Sequence, residues 1–428
     1  MTSWAAVKVS DVCDLIVDCV NRTAPLSSVP TPFKMIRTTN IRNGFIDTQN
    51  VRYVDEATFQ RWTRRGAPCP GDVVLTREAP LGEVGIVRTN EPIFLGQRTI
   101  MYRADRRRLN PYFLMYAMLG PLVQGQIRGY GSGATVEHMR LPDCFNLRLL
   151  LPPLPIQHKV ADVLSAYDHL IENNNRRIKI LEEMAERIYR EWFVEFRYPG
   201  HEEVPLADSE LGAIPRGWVV SKVGEVASII RGRSYRGVDI VDAGGVAFVN
   251  LKCIDREGGF RRSGIKRYAG NFKETHTVVS GDIVVAVTDM TQERRIVARA
   301  ARVPRLGEKF GVMSMDVVKV APRPAVSSQY LLGVLRYSGF PDQVKAFANG
   351  ANVLHLHPER IADFRFPKAP DALAASYSEI VGAMYETADT LADMTDRLRA
   401  ARELLLPRLI SGEIDVDNLD IATEELAA

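Results

Sequence analysis

Few residue types can carry chemistry in this 428-residue chain, and most of the spacings that chemistry needs are missing. Seven histidines, at 138, 158, 169, 201, 276, 355 and 357, never stand four apart, so no helix offers the paired imidazoles of a zinc site. Five cysteines (Cys13, Cys19, Cys69, Cys144, Cys253) form no Cys-x-x-Cys pair, and an odd, scattered set fits reduced thiols. No Asp or Glu is followed two positions later by Lys, the spacing of metal-dependent nuclease cores, and no Gly-Lys-Ser/Thr closes a phosphate loop. Asn110-Pro111-Tyr112-Phe113 comes nearest to the loop with which adenine methyltransferases hold a flipped base. It lacks one proline and stands where a helix should begin, so it reads as a cap followed by proline. Cations are the plentiful groups. Net charge is +6 over residues 1–153, −1 over 154–198, +7 over 199–368 and −9 over 369–428. Two basic blocks of this kind are a polyanion footprint in two places.

Those blocks coincide with an internal duplication. At an offset of 217, "GATVEH" (133–138) lies on "GANVLH" (350–355), and the match runs ungapped from Phe113 over Tyr330 to Ile188 over Leu405. "GDVVL" (71–75) pairs with "GDIVV" (281–285), and "WAAVKVSDV" (4–12) with "WVVSKVGEV" (218–226), at offsets of 210 and 214. Each half opens with β-branched segments punctuated by Gly, Asp and Pro, which read as mostly antiparallel strands. A short helix follows, capped at Asn110 or Ser327, and then a long one.

The long helices carry steps of four and three. Leu373, Tyr377, Ile380, Met384, Thr387, Leu391, Met394, Leu398, Ala401 and Leu405 match Ile156, Val160, Val163, Tyr167, Leu170, Asn174, Arg177, Leu181, Met184 and Ile188. Heptads sustained this long predict a coiled coil, and one such helix per half predicts pairing within the chain, through Val160, Val163, Leu170, Leu181 and Ile188 with Tyr377, Ile380, Leu391, Leu398 and Leu405. Asn174 either fixes the register or, with Arg177, marks a stutter facing water. The second seam is expected to end at Pro407. The aromatics of "YREWFVEFRYPGH" (189–201) close the first helix and are expected to pack the coiled-coil end or a partner. A half ending near Phe196 is expected to pair with a second copy through its exposed seam. No apolar run approaches the ~18 residues of a membrane span, and the N-terminus has no signal-peptide pattern, so a cytoplasmic protein without membrane contact is expected.

Four stretches, "LPPLPIQHKVADVLSAYD" (151–168), "LEEMAERIYREWFVEF" (181–196), "SELGAIPRGWVVSKVGEVASIIRG" (209–232) and "ARELLLPRLISGEIDV" (401–416), make the chain resemble the specificity subunits of type I restriction–modification enzymes. Ile156-Gln157 replaces the usual Glu-Gln, and "PKAPDALAAS" keeps little of the matching motif in the second half. The resemblance implies an α+β chain with two similar target-recognition domains, at 1–153 and 199–368. Two long spacer helices, at 154–198 and 369–412, would form the antiparallel coiled coil, with an acidic tail at 413–428. It implies a non-catalytic subunit that reads one half of a bipartite double-stranded DNA target per domain. It also implies docking of two adenine-N6 methyltransferase subunits and, through them, two nuclease-translocase subunits. S-adenosylmethionine, and ATP with Mg, would reside on those partners, and this chain would hold no cofactor or metal. The other readings are a coiled-coil adaptor without DNA specificity and a stand-alone DNA-modifying enzyme.

Base and phosphate contacts need Arg, Lys, Asn, Ser, Thr or Tyr on loops and strand ends. In the first half the candidates are Arg37, Thr38, Asn40, Arg77, Arg128, Tyr130, Ser132 and Thr135. In the second they are Arg231, Arg233, Tyr235, Arg236, Asn250, Lys252, Arg294, Arg295, Asn349 and Asn352.

Overall fold

The computed structural model describes residues 4–131 and 137–416. The chain divides into two units, one of Met1–Asn173 with Thr395–Ala428 and one of Asn174–Met394. In the first, Ala5–Lys8 pairs antiparallel with Arg148–Leu151. A four-stranded antiparallel sheet has the order Cys13–Asp18, Thr99–Ala104, Val73–Arg77, Leu81–Ile86. A second sheet sets Lys34–Ile36 parallel to Ile93–Leu95.

The second unit repeats this plan. Val219–Lys222 pairs with Arg365–Lys368. Its four-stranded sheet runs Ala227–Arg231, Val317–Pro322, Ile283–Ala286, Ala300–Arg302, and Val246–Val249 lies parallel to Gly311–Met313. Registers repeat as well: Leu75 faces Ile100 as Val285 faces Val318, and Ile36 faces Leu95 as Val249 faces Met313. The sequence duplication is therefore a duplication of an α+β topology. The central strands read as unbroken apolar runs because both faces are covered. Val73 and Leu75 enter one core and Val74 another; Ile283 and Val285 likewise part from Val284 and Ala286.

Both short helices start at the expected caps. Asn110 Oδ1 accepts from Tyr112 N and Phe113 N ahead of Pro111–Leu119, and Ser327 Oγ accepts from Tyr330 N ahead of Ser328–Tyr337. Gln157, fully buried, ties the first long helix to this cap. It accepts from Asn110 N at 2.8 Å and donates to Arg108 O and Pro152 O.

The long helices are Leu154–Tyr189, continued by a π-turn at Arg190–Val194, and Asp371–Ile410. Their buried stripes are Val160, Ala161, Leu164, Asp168, Ile171, Asn174, Ala185 and Tyr189 on the first, and Ala374, Tyr377, Val381, Tyr385, Ala388, Leu391, Thr395 and Leu409 on the second. Val160, Tyr377 and Leu391 stand on these stripes, and Val163, Leu181, Ile188, Leu398 and Leu405 are partly buried beside them. Leu170 and Ile380 do not: they are 51% and 42% exposed, and Ile171 and Val381 take their places. An apolar template steps one residue early here because the real stripe accepts Asp168, Ala185 and Thr395, which such a template skips. Asn174 is buried, whereas Arg177 faces water.

A second correction concerns Pro407. The helix passes through it to Ile410. An interior proline costs about 3 kcal/mol, but Leu409 and Ile410 beyond it are buried in the first unit's core, and each such side chain returns about 1.5–3 kcal/mol. Burial carries the helix on.

The aromatics after residue 188 enter the second unit's core. Phe193 packs against Tyr330, Tyr377 and Trp218 with ring centroids 4.9, 5.1 and 6.0 Å apart, and Phe196 packs against Trp218.

Candidate nucleic-acid interface

In each unit the strand of the parallel pair ends in one 3-10 turn, Thr38–Asn40 or Leu251–Cys253. An asparagine holds the turn. Asn40 Oδ1 accepts from Arg37 N at 3.0 Å and its amide donates to Asn50 O at 2.8 Å. Asn250 accepts from Lys252 N and donates to Phe248 O and Gly264 O. Both asparagines are buried with both ends of the amide occupied, so neither reaches a base edge, contrary to expectation. A polar residue in a loop looks the same in sequence whether it caps or reads.

In the first unit Thr38 Oγ1 donates to Ala79 O at 2.8 Å, bringing its turn beside the hairpin that joins Val73–Arg77 to Leu81–Ile86. Arg77 Nη1 donates to Met139 O, and Glu78 bridges to His138, so the end of the repeated loop reaches the same hairpin. Arg77, Glu78, Gln97, Arg98 and His138 line a cavity of about 310 Å³. Arg128 is exposed in the last turn of Pro121–Tyr130, whereas Tyr130 packs against the core. Ser132 and Thr135 lie outside the described residues.

In the second unit the equivalent pairing is Thr288 with His355. The buried Asp289 accepts from Thr291 N and Oγ1, Ile296 N and Val297 N, folding the intervening residues into a loop. Gln292 donates to Gly350 O and Ala351 O, and Arg294 to Ala348 O. The loop of Arg294 and Arg295 thus lies on the loop of Asn349 and Asn352, both of which are exposed. Asn349 also donates to Phe347 O, and Arg295 pairs with Glu293. Gly350 has φ 153°, and a Cβ there would meet Val353 O at 1.9 Å, so this glycine of the repeat is a backbone requirement. Arg231 pairs with Glu359 and Arg236 with Asp239. A cleft of about 720 Å³ gathers Tyr235, Lys252, Arg256, Arg261, Lys266 and Asp316.

The electrostatics favour an anionic ligand. The Nε atoms of Arg37, Arg77, Arg233 and Arg294 are buried and make no hydrogen bond among the described residues. A buried donor left this way costs about 1–3 kcal/mol, which a ligand acceptor can return. Burial, and then the cations Arg233 and Lys273, push the His276 imidazole below its ordinary value. Burial, and then Asp316, push the Tyr235 hydroxyl up.

Sequence reasoning missed Gln97, Arg98, Arg256, Arg261, Lys266 and Asp316. A signal existed for three of them: Gly96-Gln97-Arg98 and Ser314-Met315-Asp316 each lead into an equivalent strand. Among the described residues no three His, Cys, Asp or Glu side chains are placed to hold a metal ion, and no helix is long and apolar enough to cross a membrane.

Residues 1–183 match the family model for the type I restriction modification DNA specificity domain. The chain is 22% identical over 359 residues to the type I restriction enzyme MjaIX specificity subunit of Methanocaldococcus jannaschii, covering 82% of this chain and 79% of that protein. It is 20% identical over 350 residues to the MjaVIII specificity subunit of the same organism, with 77% of each covered. The S subunit of a type I restriction-modification system from M. genitalium superposes over 95% of this chain and 96% of that one, with a TM-score of 0.58 at 13% identity. That last likeness is one of fold.

Proposed function

The chain is a relative of type I restriction–modification specificity subunits, and on that premise we propose that it selects the DNA sequence on which such a complex acts, reading one half of a bipartite target with each basic domain. The observation that carries this reading is a pair of arginines in each domain whose buried Nε atoms lack an acceptor among the described residues. Arg37 and Arg77 in one domain, and Arg233 and Arg294 in the other, hold buried donors that a phosphate or a guanine edge would satisfy. On this reading the chain is itself non-catalytic. Two adenine-N6 methyltransferase subunits, carrying S-adenosylmethionine, would dock on it and through them two nuclease-translocase subunits using ATP with Mg.

The test is sequencing of N6-methyladenine in DNA from cells expressing the chain with its methyltransferase partner. A new methylated motif made of two short elements around a fixed gap is the expected result. A methylation pattern that does not depend on this chain would refute the reading.

A further inference from the structure

Arg98 and Asp316 occupy the same place in the two domains. Arg77 N donates to Arg98 O at 2.7 Å, and its register equivalent Val287 N donates to Asp316 O at 2.9 Å. Each residue lines the cavity at that end of its sheet, yet their charges are opposite.

The carboxylate is the odd member of its surroundings. Lys252, Arg256, Arg261 and Lys266 line the same cleft, but Asp316 forms no ion pair among the described residues. Its one side-chain hydrogen bond there comes from Ser314 Oγ at 3.2 Å. In a cleft suited to phosphate, a free carboxylate repels the ligand backbone. In the major groove the base groups that donate to it are the exocyclic amines, cytosine N4 and adenine N6. Arg98 is the complementary case. Its Nε lies 3.3 Å from Glu78 Oε2 while the side chain stays half exposed, and its φ is 69°. A non-glycine residue held in the left-handed region is strained, and such strain gathers at functional positions. A guanidinium steadied by a carboxylate presents its fork to guanine O6 and N7.

We propose that Arg98 and Asp316 are specificity-determining residues at one equivalent position of the two half-sites, Arg98 selecting guanine and Asp316 selecting a base with a major-groove amino donor. This rests on the reading of the domains as half-site readers.

The test uses the full chain with its methyltransferase partner, selecting from a randomised duplex library. Asp316→Asn is expected to lose about 10–100-fold discrimination at one base pair of one half-site, leave the other half-site unchanged, and bind random DNA more tightly. Whether cytosine or adenine is lost identifies the donor. Arg98→Gln is expected to relax one guanine in the other half-site and to weaken random binding. Unchanged preferences in both variants, or a uniform loss over all sequences that marks a phosphate contact or a folding role, overturn the proposal. A wild-type complex that enriches no sequence overturns the half-site reading itself, and this inference with it.

Discussion

Asp289 is a fully buried carboxylate in a basic domain, and what it holds is a loop rather than a ligand. Burial alone would raise its carboxyl, but hydrogen bonds from Ile296, Thr291 and Val297 outweigh that and set it below its ordinary 3.8. A folded-state value below the unfolded one adds stability above the unfolded value and loses it as pH falls through the folded one. Asp289→Ala leaves four donors facing a small apolar side chain, and hydrogen bonds to a charged group are worth about 1.5–3 kcal/mol each. Because water reaches part of an opened loop, the expected loss is about 2–4 kcal/mol. Denaturant titration checks it: near neutral pH the variant should fall short of wild type by that amount, and the gap should narrow as pH falls below about 4 and the wild-type carboxylate is protonated. The same substitution frees the loop of Arg294 and Arg295, so selection at the second half-site should blur while the first stays sharp.

At the scale of elements, one glycine decides how a short helix and a long helix meet. Gly333 lies in Ser328–Tyr337, and a Cβ there would come within 2.2 Å of the Tyr189 ring. That ring cannot swing away: Tyr337, Tyr377 and Phe193 surround it at centroid distances of 6.0, 5.9 and 5.1 Å. Gly333→Ala gains up to about 1 kcal/mol of helix propensity and meets about 1–3 kcal/mol of overpacking. Overpacking wins, and a net loss of stability is expected in thermal melts despite the better helix former. The first unit makes the same junction with polar groups. Buried Asp168 accepts from Tyr116 Oη at 2.6 Å and pairs with Arg402. Arg402→Met strands that carboxylate at a cost of about 3–5 kcal/mol, and adding Asp168→Leu should recover most of it. Equal destabilisation in the double variant would show that packing, not charge, holds the junction. These two junctions also mark how far sequence carried the fold. Tyr377 and Leu391 stood out because apolar residues at four-three steps have no other use on a charged helix. Asp168, Ala185 and Thr395 did not, since small or polar residues count against a seam until their partners are known. Caps at Asn110 and Ser327 were legible for the opposite reason: each stands directly before an apolar helical run. Asn40 and Asn250 were misread because their partners are backbone groups that only the folded turn supplies.

Across the whole molecule, the duplication is regular in topology and deliberately irregular at these junctions. At the offset of 217, Tyr116 answers to Gly333, Asp168 to Tyr385, and Arg402 to Ala185. One junction is thus a tyrosine–aspartate–arginine set and the other a glycine, a tyrosine and an alanine. This bears on what half a chain would do. Residues 1–196 lack Leu405, Leu409, Ile410 and Val416, which complete or pack against the first unit's core. Only a second copy could replace them, by bringing its own 181–193 to the vacated face. Sequence pattern alone favours that dimer, because its seam is apolar. The side chains argue against it: the symmetric pairing sets Ala185 beside Asp168 and leaves a buried carboxylate unpaired in each copy, about 3–5 kcal/mol apiece. Tyr189, arriving where Leu406 stood, finds Tyr116 in place of the gap at Gly333. The fragment is therefore expected to stay monomeric or dimerise weakly at micromolar concentration by light scattering. Asp168→Leu in the same fragment, which removes the stranded charge, should dimerise at least tenfold more tightly, since about 1.4 kcal/mol already yields that factor. If the unaltered fragment dimerises as tightly as Asp168→Leu, the polar junction does not discriminate between partners. Orientation of the two helices would then be set by the apolar stripe alone.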